Sequence, residues 1–289
     1  MTAPAEKRQQ PPDEYNLAAL RTEAAVYGFK DLLYFPDIPT TMTVVRDHAL
    51  MNDRANPLSV LANHQTNGVG RDETKQWHDI SGSSILLSAY IPLAGDEQGA
   101  PPTAEFADLV ALGVCCALEK TSAQPLIKAP NDIVCDGKKI SGILVQNVYD
   151  EKNLYKGVIL GVGINVHYAD EELTTYPTDY GATSVDFVTK KFNARQPLVV
   201  DILRGIWTAS AEAVILAKST DVQREQNALW QKYSYLLGKN VVVSEKDTIL
   251  AEGKVVQTEI GNGIVVHIKN GKLVPITIFD TNTKVRLQQ

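Results

Sequence analysis

Positive charge is in deficit in this chain. Its 28 lysines and arginines face 34 aspartates and glutamates, a formal net charge of −6. Such a surface has no general attraction for phosphate backbones or anionic lipid, so nucleic acid and membranes are not expected partners. Cysteine is scarce as well. Cys115, Cys116 and Cys135 form an odd set without ligand-like spacing, and adjacent cysteines rarely pair with each other. That excludes a disulfide scaffold and agrees with a reducing, cytoplasmic setting. No apolar run approaches the roughly 18 residues of a membrane-spanning helix, and the charged, Gln/Pro-rich start AEKRQQPPDE is not signal-like. The five histidines, His48, His64, His78, His167 and His267, show no metal-ligand spacing. No internal repeat, coiled coil or low-complexity tract is evident.

What is present is core material. With 289 residues, 44% of them hydrophobic, the chain can bury one large core and a smaller one. Residues 1–14 are polar and Pro-rich and are expected to form a mobile tail without chemistry. From Asn16 to Phe29, Leu17, Leu20, Ala24 and Tyr27 recur at helical spacing. An extended segment Leu32–Phe35, a helix from Thr43 to about Asn52 and strands at 59–63 and 83–92 follow. Between those strands runs a Gly-, Asn- and charge-rich connection, HQTNGVGRDETKQWHDISG, whose length suits a functional loop. Residues 104–120 have the apolar spacing of a core helix. Asp136-Gly137 marks a hairpin, Leu154–Val162 reads as a further strand, and helices are expected after Pro197 and over about 221–235. The order suggests an α+β fold: a mixed, largely antiparallel sheet packed on helices over residues 15–236. From 237 to 289, short alternating runs with turn signals argue for a small SH3-like barrel.

The chemistry concentrates between Lys128 and Val166. There a lysine stands on the proline-stiffened turn KAPNDI, the hairpin continues into KKISGIL, and an apolar strand ends in GVGINV. A fixed cation beside glycines that admit close backbone approach suits a small anionic ligand with an activatable carboxylate. A second constellation, HQTNGVGR, is a glycine-rich turn next to a basic residue, able to wrap an anion with backbone N–H groups. Thr40 and Thr41 supply hydroxyls that either donate or accept; as a helix cap before TVVRDHAL they would be equally at home.

These runs resemble the signature of biotin protein ligases. Lys128, Pro130, Asn131, Asp132, Lys139, Gly142, Ile143, Leu144, Gly161, Gly163, Ile164 and Asn165 sit where that pattern puts them, and Gln65, Thr66, Gly68, Gly70 and Arg71 match its glycine-rich loop. The chain departs from the pattern at Val69, where an arginine is expected, and over Asp72–Gln76; Trp77 arrives one position late. The resemblance implies a catalytic domain of the class II aminoacyl-tRNA synthetase/biotin ligase kind. It implies ATP-dependent conversion of biotin to biotinyl-5′-AMP, then transfer to a lysine of a biotin carboxyl carrier domain. On this reading Lys128 and Arg71 are catalytic. Thr40, Thr41, Gln65, Gly68, Lys128, Gly142, Gly161 and Gly163 bind biotin, while Gly70, Arg71, Asn131 and Asn165 bind ATP or the adenylate. Magnesium would accompany ATP through ligands the sequence does not identify. A homodimer is left open, and no DNA-binding domain is expected in the roughly 30 residues before the pattern. Three alternatives stand beside it: a lipoate or octanoate enzyme of the same superfamily, a biotin binder weakened in catalysis by Val69 and the acidic insert, and a structural module.

Overall fold

The structure is a computed structural model that describes residues 13–51, 56–71, 75–93, 103–169, 172–173, 178, 180–216, 220–245, 248–261, 263–268, 271–276 and 283–288. Its first half is built around a seven-stranded sheet. The strands are β1 (Asp31–Ile38), β2 (Leu58–Gln65), β5 (Ser84–Ile91), β6 (Leu126–Lys128), β7 (Asp132–Cys135), β8 (Lys138–Tyr149) and β9 (Tyr155–Asn165), ordered β1-β2-β5-β9-β8-β7-β6. Only the β1–β2 pair is parallel. A separate ribbon, β3 (Gly68–Val69) with β4 (Gln76–Trp77), occupies the long connection between β2 and β5.

Two-residue alternation assigns the faces. On β9, Leu160, Val162 and Ile164 enter the large core, together with Ile85, Leu87 and Ala89 of β5. Helices α1 (Leu17–Val26), α3 (Thr103–Glu119), α5 (Arg195–Leu216) and α6 (Thr220–Tyr233) pack against them in that core, and a short α4 (Val185–Thr189) adds Val185. Each fully buried aliphatic side chain there contributes roughly 1.5–3 kcal/mol. α3 and α5 cross so closely that a Cβ on Gly113 would stand 2.8 Å from the Gly205 Cα. The opposite face of the sheet carries α2 (Thr41–Met51), whose Met42, Val45 and Ala49 pack on Leu58, Val60, Tyr90 and Ile159. Gly161, Gly163 and Asn165 share that face with Ile159 by the same alternation.

Element boundaries depart from the sequence reading in instructive places. α2 starts at Thr41, two residues early, because its first N–H is satisfied from outside by the Gln65 side chain (2.8 Å). α5 starts before Pro197, which stands in the first turn where its missing N–H costs nothing. Asp136 and Gly137 both take positive φ, 51° and 76°, as a tight hairpin turn requires. The three cysteines are free thiols.

The C-terminal region is a five-stranded antiparallel sheet ordered β13-β12-β11-β10-β14. Its strands are β10 (Asn240–Glu245), β11 (Thr248–Glu259), β12 (Gly263–Ile268), β13 (Leu273–Ile276) and β14 (Thr283–Leu287). Where a small barrel was expected the sheet is open: among the described residues, no ladder joins its end strands β13 and β14. Val241, Val243, Val255, Ile264 and Val266 form its own core, into which Ala129 of the β6–β7 turn also packs. On the helical side, Asp108 of α3 accepts the Gly261 N–H (3.0 Å), and Asn227 of α6 accepts that of Ile260 (3.1 Å). Burial pushes the Asp108 carboxyl well above the ordinary carboxylate range, partly offset by the Gly261 bond.

Candidate active site

A cavity of about 790 Å³ opens on the α2 face, between the main sheet, the β3–β4 ribbon and β14 of the C-terminal sheet. One wall is made of short hydroxyl and amide groups. Thr41 Oγ1 lies 2.7 Å from Ser88 Oγ, and the Gln65 side-chain oxygen Oε1 accepts from Thr41 N (2.8 Å) and from Thr41 Oγ1 (3.1 Å). The sequence left the threonine pair open between helix cap and ligand contact. In the structure Thr41 is the first residue of α2, the amide that caps it is Gln65, and both threonines and Gln65 line the cavity. Asp79, buried behind Gln65, accepts from the Gln65 N–H (3.2 Å) and pairs with His64 Nδ1 (2.9 Å). Burial raises its pKa, an effect the His64 and Gln65 bonds reduce without cancelling.

The facing wall is cationic. Lys128 ends β6 and Asp132 begins β7, paired across a turn with a cis Ala129–Pro130 bond. Asn131 fixes that turn to β8: its carbonyl accepts the Ile143 N–H (2.9 Å) and its side chain donates to the Ile143 carbonyl (3.2 Å). Lys139 Nζ lies 2.5 Å from Asp132 Oδ1. The Tyr180 hydroxyl donates to Asp132 Oδ2, and the Lys128 ammonium stands 4.4 Å from the centre of the Tyr180 ring. Arg71, Lys75 and Arg286 also line the cavity, with Asp132 the only carboxylate among the described lining residues.

Glycines form the floor. The flat group lying on Gly163 is the Trp77 indole; a Cβ there would meet the ring at 2.7 Å. The same ring is 3.1 Å from a Cβ on Gly142, and the Lys139 ammonium is 5.7 Å from the centre of the indole. Gly161 faces Met42 and Ser88. Three buried polar atoms at this cavity, Trp77 Nε1, Asn165 Oδ1 and Thr178 Oγ1, lack hydrogen-bond partners among the described residues. Buried orphans of that kind are costly without a partner, so they suit a bound ligand with polar edges.

Of the residues singled out from sequence, Thr40, Thr41, Gln65, Gly70, Arg71, Lys128, Asn131, Gly142, Gly161, Gly163 and Asn165 all line this cavity. Gly68 does not. It faces Trp77 across the ribbon, where a Cβ would stand 2.5 Å from the Trp77 carbonyl oxygen, so its small size serves strand pairing. Asp72 to Thr74, part of the departure from the loop pattern, lie outside the described residues. From sequence, Trp77 is only a displaced position of the loop pattern, Arg286 only a loose match that is given no nucleotide contact, and Tyr180 carries no signal; all three line the cavity. Lys139 stands in the matching run but not among the proposed site residues.

A second polar cluster lies just beyond the strand ends. Arg195, 3% exposed, donates to Asp13 Oδ2 (2.8 Å), the Asp13 carbonyl (2.7 Å), Asn63 Oδ1 (3.2 Å) and the Ser84 carbonyl (3.1 Å). His167 lies between Asp13 (2.8 Å) and Asp186 (2.7 Å), stacked on Phe192. Burial opposes charge on His167, but the two carboxylates outweigh it and its pKa is raised. Burial likewise works against the Asp13 carboxylate, yet bonds from His167 and Arg195 leave its pKa lowered. Asp13 is thus anchored, where the sequence suggested a tail through residue 14.

Comparison with known proteins places this geometry in a class. Residues 34–165 match the model of the biotin/lipoate A/B protein ligase family. Within the family the similarity runs toward biotin. The bifunctional ligase/repressor BirA of Bacillus spizizenii is 34% identical over 159 residues, 53% of this chain and 45% of that protein. The Bacillus subtilis protein of the same name is 34% identical over 154 residues, 51% of this chain and 43% of the relative. The chain therefore spans under half the length of these curated relatives. Among solved structures, the Aquifex aeolicus biotin protein ligase in complex with biotin and ATP superposes with a TM-score of 0.68 at 21% identity, covering 90% of this chain and all of that one. The Leishmania major biotin protein ligase with biotin gives 0.52 at 18%, covering 85% and 98%. At such identities the structural likeness concerns the fold.

Proposed function

We propose that this chain is an ATP-dependent ligase that activates biotin as biotinyl-5′-AMP and transfers it to a lysine of a biotin carboxyl carrier domain. The observation that carries the reading is the opposition of walls in one cavity. Lys128, Lys139 and Arg71 offer fixed positive charge facing the Thr40, Thr41, Gln65 and Ser88 side chains, which suit a small ring rich in donors and acceptors.

The first step brings two anions together. A carboxylate oxygen of biotin attacks the α-phosphorus of ATP, a P–O bond forms, and the bond to pyrophosphate breaks. Lys128 and Arg71 would offset the charge that builds where the anions meet, already oriented before reaction. In the second step a lysine amine of the carrier attacks the acyl carbon; the amide forms, a proton is lost from nitrogen, and AMP departs. The β3–β4 ribbon, with Trp77 over the glycine floor, would cover the adenylate and limit hydrolysis. Gly70, Asn131 and Asn165 belong to the nucleotide side of this reading.

Magnesium, when bound, would withdraw charge from the phosphates. Among the described lining residues only Asp132 could offer it a carboxylate, and both of its oxygens already meet Lys139 and Tyr180, so the ion would rest chiefly on phosphate oxygens and water. An SH3-like curl of the C-terminal sheet, favoured by the bulges in the β10–β11 and β11–β12 ladders, a cytoplasmic location and independence from nucleic acid complete the proposal.

Intact-mass analysis of a biotin carboxyl carrier domain incubated with the protein, MgATP and biotin tests it, with lipoate and octanoate in parallel. A biotin-sized gain that requires ATP is expected. Transfer of lipoate or octanoate instead would move the assignment to the other branch of the family. No transfer of any acid, with a control ligase active on the same carrier, would leave a binding protein.

A further inference from the structure

We propose that Tyr180 is a positioning residue that orients both lysines of the site at once; the inference rests on the ligase reading above. Its two ends do different work. The hydroxyl donates to Asp132 Oδ2 while Lys139 takes Oδ1, so the phenol and the ammonium divide one carboxylate between them. The ring face lies 4.4 Å from the Lys128 ammonium. With one carboxylate oxygen on Lys139 and the other on the Tyr180 hydroxyl, Lys128 is met by the ring instead. The aromatic face gives the second cation a favourable surface that neither neutralises it nor competes for its hydrogen-bond donors.

The backbone around Tyr180 shows that this placement is built in. The Lys139 N–H donates to the Gly181 carbonyl (3.0 Å), and the Thr183 N–H donates to the Lys139 carbonyl (2.8 Å). Residues 181–183 therefore run as a parallel bridge beside the lysine that Tyr180 helps to orient. Asn165, at the end of β9, adds a bond from its side-chain nitrogen to the Thr183 carbonyl (3.1 Å). Gly181 takes φ +78°, a conformation other residues rarely adopt. Tyr180 is thus tied in register to Lys139, so its ring and hydroxyl meet Lys128 and Asp132 at fixed places.

The two ends separate in two variants. Tyr180→Phe keeps the ring under Lys128 and removes the bond to Asp132; Tyr180→Leu removes both. Biotin-dependent pyrophosphate release would be measured for the full chain and each variant, with kcat, the KM values for biotin and ATP, and the melting temperature. Tyr180→Phe is expected to lower kcat about tenfold, as for one lost hydrogen bond to a charged group, with the biotin KM unchanged. Tyr180→Leu is expected to lower kcat further and also to raise the biotin KM, so that phenylalanine rescues KM but not kcat. Wild-type kinetics in both variants would overturn the inference and leave the ligase reading standing. Equal losses in the two variants that follow a fall in melting temperature would also overturn it, in favour of a packing role. An unmodified protein that releases no pyrophosphate with biotin would overturn the ligase reading and this role with it.

Discussion

Two polar clusters grow from the same strand ends and are built on opposite electrostatic plans. β2 sends Gln65 into the cavity and Asn63 to Arg195; the β9 strand ends with Asn165 at the cavity, and His167 follows two residues later in the buried knot. In the knot, Arg195 and a doubly bonded His167 are matched by Asp13 and Asp186. At the cavity, Arg71, Lys75, Lys128, Lys139 and Arg286 face Asp132 as the lone carboxylate among described lining residues. Balanced charge that is shielded from water favours one arrangement of the chain. Unbalanced charge beside an open volume holds potential for an anion that is not part of the chain. The contrast separates the residues expected to carry stability from those expected to carry chemistry.

The largest effect should come from breaking the balance. Asp13→Ala leaves Arg195 and His167 without their shared carboxylate, and is expected to cost about 3–5 kcal/mol of stability. Urea unfolding would read this, while the biotin KM, taken well below the melting temperature, stays at the wild-type value. The mirror experiment is Lys128→Ala, which removes a cation from the unbalanced cluster. Adenylation should fall by about 10²–10³-fold with the melting temperature retained; biotin-dependent pyrophosphate release at the wild-type rate would take Lys128 out of the mechanism. Gly113→Ala belongs to neither cluster and calibrates both. Forcing a methyl into the α3–α5 crossing should destabilise by about 1–3 kcal/mol, with no change in kcat for protein that remains folded.

The smallest effect is a pH dependence confined to the knot. His167 has its folded pKa raised above 6.5, so its contribution is complete below that value and is lost as pH rises through the folded pKa. Asp13 has its folded pKa lowered below 3.8, so its contribution is present above that value and is lost as pH falls through the folded pKa. Together they stabilise most between pH 3.8 and 6.5. Melting scans across this range should show His167→Asn losing the decline on the alkaline side. A decline of the same size in the variant would assign it to another group.

The cavity was legible in the sequence because its residues cluster in short runs with local geometry. KAPNDI, KKISGIL and GVGINV place their glycines and lysine on adjacent antiparallel strands, and alternation puts Gly161, Gly163 and Asn165 on one face. The knot was not legible, since Asp13 and Arg195 lie 182 residues apart and neither sits in a patterned run. Trp77 was visible as a residue but not as the partner of Gly163, since the β3–β4 ribbon that delivers it has two-residue strands. Tyr180 had no signal at all; it reaches the site only through the pairing of residues 181–183 with Lys139, which no sequence pattern announces. The alternating strands of the C-terminal region were apparent, whereas the ladder needed to close a barrel is absent among the described residues, and pairing of end strands has no local pattern to announce it.

Thr283, Val285 and Arg286, on β14, form part of the cavity wall although every other described lining residue comes from position 182 or earlier. During synthesis, then, the hydroxyl-lined wall and most of the cationic wall can assemble well before the cavity is complete. The full set of contacts exists only once β14 has emerged from the ribosome and paired with β10. A nascent chain would therefore be expected to acquire its full ligand-holding capacity only after β14 has joined the sheet, about 100 residues of chain later than the rest of the cavity wall.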